Sequence, residues 1–592
     1  MKKVLALVLS VVILLALSTI PGFAQGGTFA GSGDSKIGGA GSIQVEVTLD
    51  DSGAITDVKI ISNGDTPGVS DPAVEKIPAA IVAAQSVAVD TVSSATMTSD
   101  AIIAAVIDAL TKAGVDLSKY TEKKEVAPAE KAADVELTTD VVIIGGGGAG
   151  LAAAVQAHQN GATVIVLEKM PKVGGNTTLA GGALNAVDDR SETAIQNNDS
   201  VEWHYTQTYN GGDKQGDPVL VHTLVSNGWA GVQWLKDLGM EFLDGTFTVT
   251  GGMWPRAHKP VEPLGTGFFK TYNAYIDSHE NIDVLLNTKA EEILVDENGL
   301  VSGVRATSET GNTVTVKAKS VVVATGGFAN SVELRQAYNI QWADLGEGIK
   351  STNHPGATGD AIKMLMKQRA DFIQMGNIQL LPLGDPETGS LSGNIEHDVE
   401  TRIFVNKEGN RFVNEGGRRD DMTKALFAQT DNFMWIVMDS DTYPTGDEKN
   451  NFNETANELV AAGRAFKADT LEELAAQIGV SAENLIAAVD DFNAHVATGE
   501  ADQFGRTLYK TPIDNGPFYA AGRVPTVHHT MGGVRINEYA QVIDENGKVI
   551  PHLYAAGEVT GGIHGSNRLG GNALLDTVVF GRIAGESAAA GR

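Results

Sequence analysis

The stretch VVIIGGGGAG at residues 141–150 decides the fold. The apolar, β-branched run Asp140-Val141-Val142-Ile143-Ile144 enters it, and Ala149-Gly150-Leu151-Ala152-Ala153-Ala154-Val155 leaves it with helix-forming composition. Strand, tight turn and helix are expected in that order. Gly145, Gly147 and Gly150 take the three glycine positions of a G-x-G-x-x-G turn, with Ala149 beside the last. One glycine makes the bend, one lets backbone approach a pyrophosphate, and one packs helix on strand. The phosphates would meet the helix N-terminus, where free amides and the dipole favour negative charge. A second β run, Ala162 to Leu167, ends at Glu168, twenty-three residues after Gly145, where a carboxylate can bind ribose hydroxyls. The spacing predicts an α/β, Rossmann-like domain that holds a dinucleotide.

A second glycine-rich stretch, GEVTGGIHGSNRLGGNA, lies about four hundred residues on, at 557–573. Glycines separated by polar residues over that length are hard to explain as packing. The chain contains no cysteine, which removes disulfides, thiolate catalysis, iron–sulfur ligation and C-x-x-C-H haem attachment together. No metal-ligand motif is present either. Met1-Lys2-Lys3, an apolar run from Val4 to Leu17 and the small residues Gly22 and Ala24 read as a secretory signal peptide over 1–24, too short to span a membrane. The formal charge is −30, and −32 once Lys2 and Lys3 leave with a segment that holds no Asp or Glu. Such a surface repels nucleic acid and fits an exported, periplasmic or cell-envelope protein.

At 592 residues several domains are expected. Residues 27–115 read as a small α+β unit, and the charged 116–136 segment as a linker. Ile43, Val45, Val47 and Leu49 alternate on one strand face, and Ile55, Val58 and Ile60 follow the Asp50-Asp51-Ser52-Gly53 turn. Helices are expected near Val74–Gln85 and over Ala101–Leu110, the second capped by Ser99 or Asp100.

Ahead of that second helix stands Asp90-Thr91-Val92-Ser93-Ser94-Ala95-Thr96, which resembles the D-x-x-[ST]-G-A-T motif of the FMN-binding domain family, with Ser94 at the glycine position. The resemblance implies FMN joined covalently to Thr96 by a flavin transferase. From about 137 onward the chain resembles the FAD-binding flavocytochrome c and soluble fumarate reductase family, especially its urocanate-reductase-like members. The motifs are Pro171-Lys172-Val173-Gly174-Gly175-Asn176-Thr177-Thr178, Ala180-Gly181-Gly182, Val321 to Gly327, His528 to Val534, and Asn567-Arg568-Leu569-Gly570-Gly571-Asn572-Ala573. The implied plan is an FAD domain at 137–383 and 529–592, with a clamp domain inserted at 384–528. Implied FAD contacts, beyond the turn and Glu168, are Lys169, Asn176, Thr177, Gly181, Gly182, Ala290, Asp360, His529, Glu558, Ala573 and Leu574. The flavin loop has no histidine, so FAD should be noncovalent.

By the same resemblance His528 and Arg568, with Gly571, clamp a substrate carboxylate, and Arg419 is the proton donor. Chemistry alone would not choose an arginine, whose ordinary pKa exceeds ~12, and charge alone makes Arg418 and Arg419 solvated loop cations. Two departures bear on substrate. Leu381 stands where fumarate reductases carry a histidine, and Asn394 to Glu400 lacks their glutamate–arginine relay; Glu396 is the nearest equivalent of an acid that faces the imidazole in urocanate reductases. The expectation is an exported reductase of an α,β-unsaturated monocarboxylate, fed by a membrane-associated electron donor through FMN and FAD. Fumarate reduction and a substrate-free flavin carrier are the alternatives. Steroid dehydrogenases share the fold, but rely on tyrosines instead of an arginine–histidine clamp.

Overall fold

The computed structural model describes residues 26–35, 39–65, 70–92, 95–123, 131–395 and 399–592, in two compact units divided at Pro128/Ala129. The signal-peptide expectation, Ser93, Ser94 and Glu396 lie outside the described residues. Among the described residues no helix is long and apolar enough to cross a membrane.

In the first unit the strands Gly27–Ser35, Gly39–Leu49 and Ile55–Asn63 form an antiparallel meander. The expected alternation appears as burial: Ile43, Val45, Val47 and Leu49 enter one core with Ile55 and Val58. The helices Asp71–Ala84 and Thr96–Lys112 cover that face. The strand Gly27–Ser35 lies directly on the second helix. A β-carbon at Gly31 or Gly33 would stand 2.0 Å from the carbonyl oxygen of Ala105 or Ala101, so only glycine allows that approach. The expected cap at Ser99 or Asp100 is corrected. The helix begins at Thr96, because the Ser99 hydroxyl donates to the Ala95 carbonyl at 2.8 Å and so sits inside the first turn. Packing also continues past residue 115. Tyr120 is buried and donates to the Gly53 carbonyl at 2.5 Å, so this part of the expected linker belongs to the small unit.

The second unit is built on an eight-stranded sheet. Its parallel centre runs Val549–Ala555, Thr313–Val323, Val135–Ile144, Val164–Leu167 and Ile282–Leu285, with antiparallel strands added at Thr288–Val295, Val301–Ser308 and Gln541–Ile543. Strands buried on both faces read as unbroken apolar runs, as Val141–Ile144 and Val164–Leu167 do. The helices Gly148–Gln159 and Asn572–Ala590 pack closely on each other. Small residues permit it, for a β-carbon at Gly585 would lie 2.3 Å from the Ala153 carbonyl oxygen. A second lobe carries the antiparallel sheet Ile378–Gly384, Phe518–Thr530, Met434–Met438 and Ile403–Asn406, with Phe466–Ala468 also on Phe518–Thr530. The thirteen-residue strand Phe518–Thr530 runs through this lobe and ends with His528 and His529 side by side in sequence.

Candidate active site

The glycine turn is shaped as its spacing demands. Gly145 has φ +105°, and a β-carbon there would sit 2.4 Å from the Ala324 carbonyl oxygen; at Gly150 it would sit 1.9 Å from the Gly145 oxygen. Gly150 therefore lies behind the turn and fixes it, while Gly145, Gly147, Ala149, Glu168, Lys169, Ala290 and Asp360 line a cavity of about 110 Å³. Glu168 is buried and accepts from the Gly146 and Met170 amides at 2.7 and 2.8 Å, with its pKa raised by burial. Lys169 donates to Asp360 at 2.6 Å; against the upward push of burial, its ammonium holds Asp360 below the ordinary carboxylate value.

Asn176, Thr177 and Glu558 line both this cavity and a second one of about 190 Å³. The second also collects Gly181, Gly182, His529, Ala573 and Leu574, together with Arg419, His528, Arg568 and Gly571. The two cavities thus adjoin along one cleft. A β-carbon at Gly181 or Gly326 would meet no atom within 4 Å, so the cleft is open where these glycines line it. Among the described residues the buried Nε2 of His529 and Oγ1 of Thr325 have no hydrogen-bond partner, and both residues line the cleft. The helix Gly148–Gln159 starts without a side-chain cap, leaving its first amides for phosphate.

Arg419 is the first residue of the helix Arg419–Phe427 and is buried, correcting the solvated-loop reading from charge. Its Nε donates to the Thr250 carbonyl at 2.9 Å and its Nη1 to Gln379 Oε1 at 3.4 Å. Arg568 Nη2 donates to the same Gln379 oxygen at 3.0 Å. Gln379 in turn donates from Nε2 to Asn567 Oδ1 and the Arg568 carbonyl at 3.0 and 2.8 Å. One buried amide therefore braces two guanidiniums that repel each other. Burial, reinforced by Arg568, holds Arg419 well below the usual arginine value, and burial lowers Arg568 to about 10. The sequence objection to an arginine acid weakens in such a site. His528 donates to or accepts from Thr352 Oγ1 at 2.8 Å through Nδ1, and burial with the two arginines keeps it neutral. Glu558, its pKa raised by burial, accepts from the Thr530 amide and Asn176 Nδ2 at 3.0 Å each, with His529 Nδ1 3.6 Å away. Gly571, at φ +85°, caps the helix Asn572–Ala590.

Arg418 points elsewhere. It forms a two-pronged pair with Asp213 at 2.7 and 3.0 Å and a second contact with Asp420. Gln379 was missed in the sequence, although alternation along Ile378–Gly384 sets it on the face shared by Leu381 and Leu383. Thr250, Thr352, Phe247 and Phe452 carried no local signal. Thr96 lies in the first unit, exposed at the start of its helix, with Oγ1 3.5 Å from the Val92 carbonyl.

Fold and site together define a flavoprotein whose dinucleotide cradle opens onto a cavity holding two buried arginines. Residues 140–574 match the FAD binding domain family and residues 38–111 the FMN-binding domain family. The chain is 36% identical to the NADH:acrylate oxidoreductase of Vibrio harveyi across 93% of its own length and 60% of that protein's. It is 35% identical to the urocanate reductase of Eggerthella lenta across 97% of its length and 94% of that protein's. A flavocytochrome c3 fumarate reductase in an open conformation superposes with a TM-score of 0.61 at 34% identity, covering 80% of this chain and 84% of the other. The chain belongs to the FAD-binding fumarate and urocanate reductase family, with an amino-terminal FMN-binding domain.

Proposed function

We propose that this protein reduces the carbon–carbon double bond of an α,β-unsaturated monocarboxylic acid. The observation that carries the reading is the convergence of Arg419, Arg568 and His528 at the cavity that continues the flavin cleft. Arg568 and neutral His528 bind the carboxylate, and Gly571 lets the backbone come close. The turn, Glu168, Lys169, Asn176 and Glu558 would hold FAD, which when reduced would supply the hydride for the β-carbon. Negative charge then gathers on the α-carbon and carboxylate, where fixed cations stabilise it best. The α-carbon takes a proton from Arg419, whose Nη2 has no protein partner among the described residues. The substrate gains two electrons and two hydrogens, and the product is the saturated acid.

Leu381 favours a monocarboxylate over fumarate, since a second carboxylate beside a leucine would be buried unpaired. Urocanate and aryl-acrylates satisfy that condition, with Glu396 as a partner for a ring N–H. Thr96 would carry FMN covalently, attached by a flavin transferase after export to the periplasm or cell envelope, and that group would supply the relay from a membrane-associated donor. Chemical reduction of the purified holoprotein, followed by a screen of unsaturated acids for flavin reoxidation, tests the activity. No reoxidation by any enoate overturns it. Thr96→Ala protein that still carries FMN through denaturation overturns the attachment.

A further inference from the structure

Resting on that reading, we propose that Glu454 is the positioning residue that fixes the far wall of the substrate cavity, and that it thereby controls how tightly the site holds an acid carrying a group on its β-carbon. Arg419, His528 and Arg568 make their side-chain hydrogen bonds with Thr250, Thr352, Gln379 and Leu569. The cavity is completed in part by Leu391 and Asn394 on one loop of the second lobe and by Asn451 and Phe452 on another. Both stretches lie outside helices and strands. A wall made of loops keeps its shape only where side chains tie the backbone down.

Glu454 ties both loops. Its Oε2 accepts from the Gly393 amide at 2.7 Å and from Asn450 Nδ2 at 3.2 Å, and its Oε1 accepts from Arg464 Nη1 at 3.3 Å. Asn450 also donates through Nδ2 to the Asn394 carbonyl at 2.8 Å, and its Oδ1 accepts from the Phe452 and Glu454 amides at 2.8 and 2.9 Å. Arg464 Nη2 continues to Ser392 Oγ at 2.8 Å and Asp385 Oδ2 at 3.2 Å, so one guanidinium spans two carboxylates and grips the first loop between them. Against the upward push of burial, Arg464 and Arg523 hold Asp385 below the ordinary carboxylate value. Gly393, at φ +75°, lets the guanidinium lie against backbone, for a β-carbon there would stand 2.5 Å from Arg464 Nη2. The side chains of Glu454, Arg464 and Asp385 are 12, 14 and 9% exposed, so removing the glutamate leaves a largely buried cation short of a partner and frees both loops. With the carboxylate fixed at the clamp, these loops border what remains of the acid. Acrylate reaches little of that wall, whereas cinnamate and urocanate carry a ring into it.

The test follows flavin reoxidation of reduced holoprotein by acrylate, trans-cinnamate and urocanate, with FAD content checked by absorbance. Glu454→Ala should raise KM for cinnamate and urocanate by about tenfold with kcat within about threefold, since uniform binding is lost while the reacting groups stay in place. Acrylate should change by about twofold or less. Glu454→Gln keeps an acceptor for the Gly393 amide and should recover part of the loss. If Glu454→Ala folds poorly, Gly393→Ala displaces Arg464 and should separate the acids in the same way. Calorimetric titration of oxidised protein with propanoate and 3-phenylpropanoate reads the same wall without turnover, and the second acid alone should bind more weakly in the variants. An equal loss for all three acids, a fall in kcat alone, or an unchanged KM overturns the role of Glu454 and leaves the reductase standing. Failure of every enoate with the unaltered protein removes the reductase, and a titration without selective weakening then removes the role of Glu454 as well.

Discussion

The two ends of the cleft are made differently. The dinucleotide end is built first on backbone, a turn whose glycines at 145 and 150 cannot accept a β-carbon and an uncapped helix start, to which Glu168, Lys169 and Asp360 add side chains. The substrate end is made of side chains drawn from Arg419, His528 and Arg568 in three distant segments, and its charges are set by burial and by one another. A backbone site fails sterically and all at once. A side-chain site fails by degrees, according to which charge is left without its brace.

The sharpest break is at the backbone end. Gly150→Ala puts a methyl group 1.9 Å from the Gly145 carbonyl oxygen, so purified protein should contain essentially no FAD by absorbance. Full FAD occupancy in that variant would show that the turn yields more easily than its geometry implies. Arg419→Ala comes next. Removing the acid should cost about 10²- to 10⁴-fold in turnover with FAD content unchanged, while Arg418→Ala, which breaks the partly exposed Asp213 pair, should cost far less. Equal losses in the two variants would sink the assignment of Arg419.

Gln379→Leu tests the brace. The 3.0 Å hydrogen bond from Arg568, worth ~1.5–3 kcal/mol, disappears, and the 3.4 Å one from Arg419 adds little, so kcat/KM should drop by about 10- to 100-fold. A drop in stability with unchanged kinetics would make Gln379 merely structural. The smallest effect is in pH. Arg568 is charged below about 10 and neutral above it, so carboxylate binding holds at lower pH and is lost as pH rises through that value. KM should be about twofold higher at pH 10 than at pH 8, measured apart from kcat. A flat KM would mean that Arg568 does not clamp the carboxylate.

The same contrast explains what could be read in advance. Gly145 to Glu168 lies within twenty-four residues and obeys fixed local geometry, so strand, turn, helix and acid were all legible. The alternation from Ile43 to Leu49 was legible for the same reason. The first strand, Gly27–Ser35, was not, because its glycines are explained only by the helix they lie against. Arg419, Arg568 and His528 came from family resemblance, and nothing local distinguishes Arg419 from Arg418. The lowered pKa of Arg419 arises from burial and from a cation 149 residues away in sequence. Gln379 has no signature beyond its strand face.

The close packing of Gly148–Gln159 on Asn572–Ala590 has a consequence for how the protein is made. About four hundred residues separate the two helices, and the whole second lobe is synthesised between them. Closing so long a loop is entropically slow, and the contact cannot form until the ribosome has passed the clamp sequence. The newborn chain therefore exposes the Ala- and Gly-rich face of the helix Gly148–Gln159 for most of its synthesis. Capture of FAD must be a late event, following translation and assembly of the second lobe, and a chain truncated before Asn572 would hold an intact glycine turn with half of its wall missing.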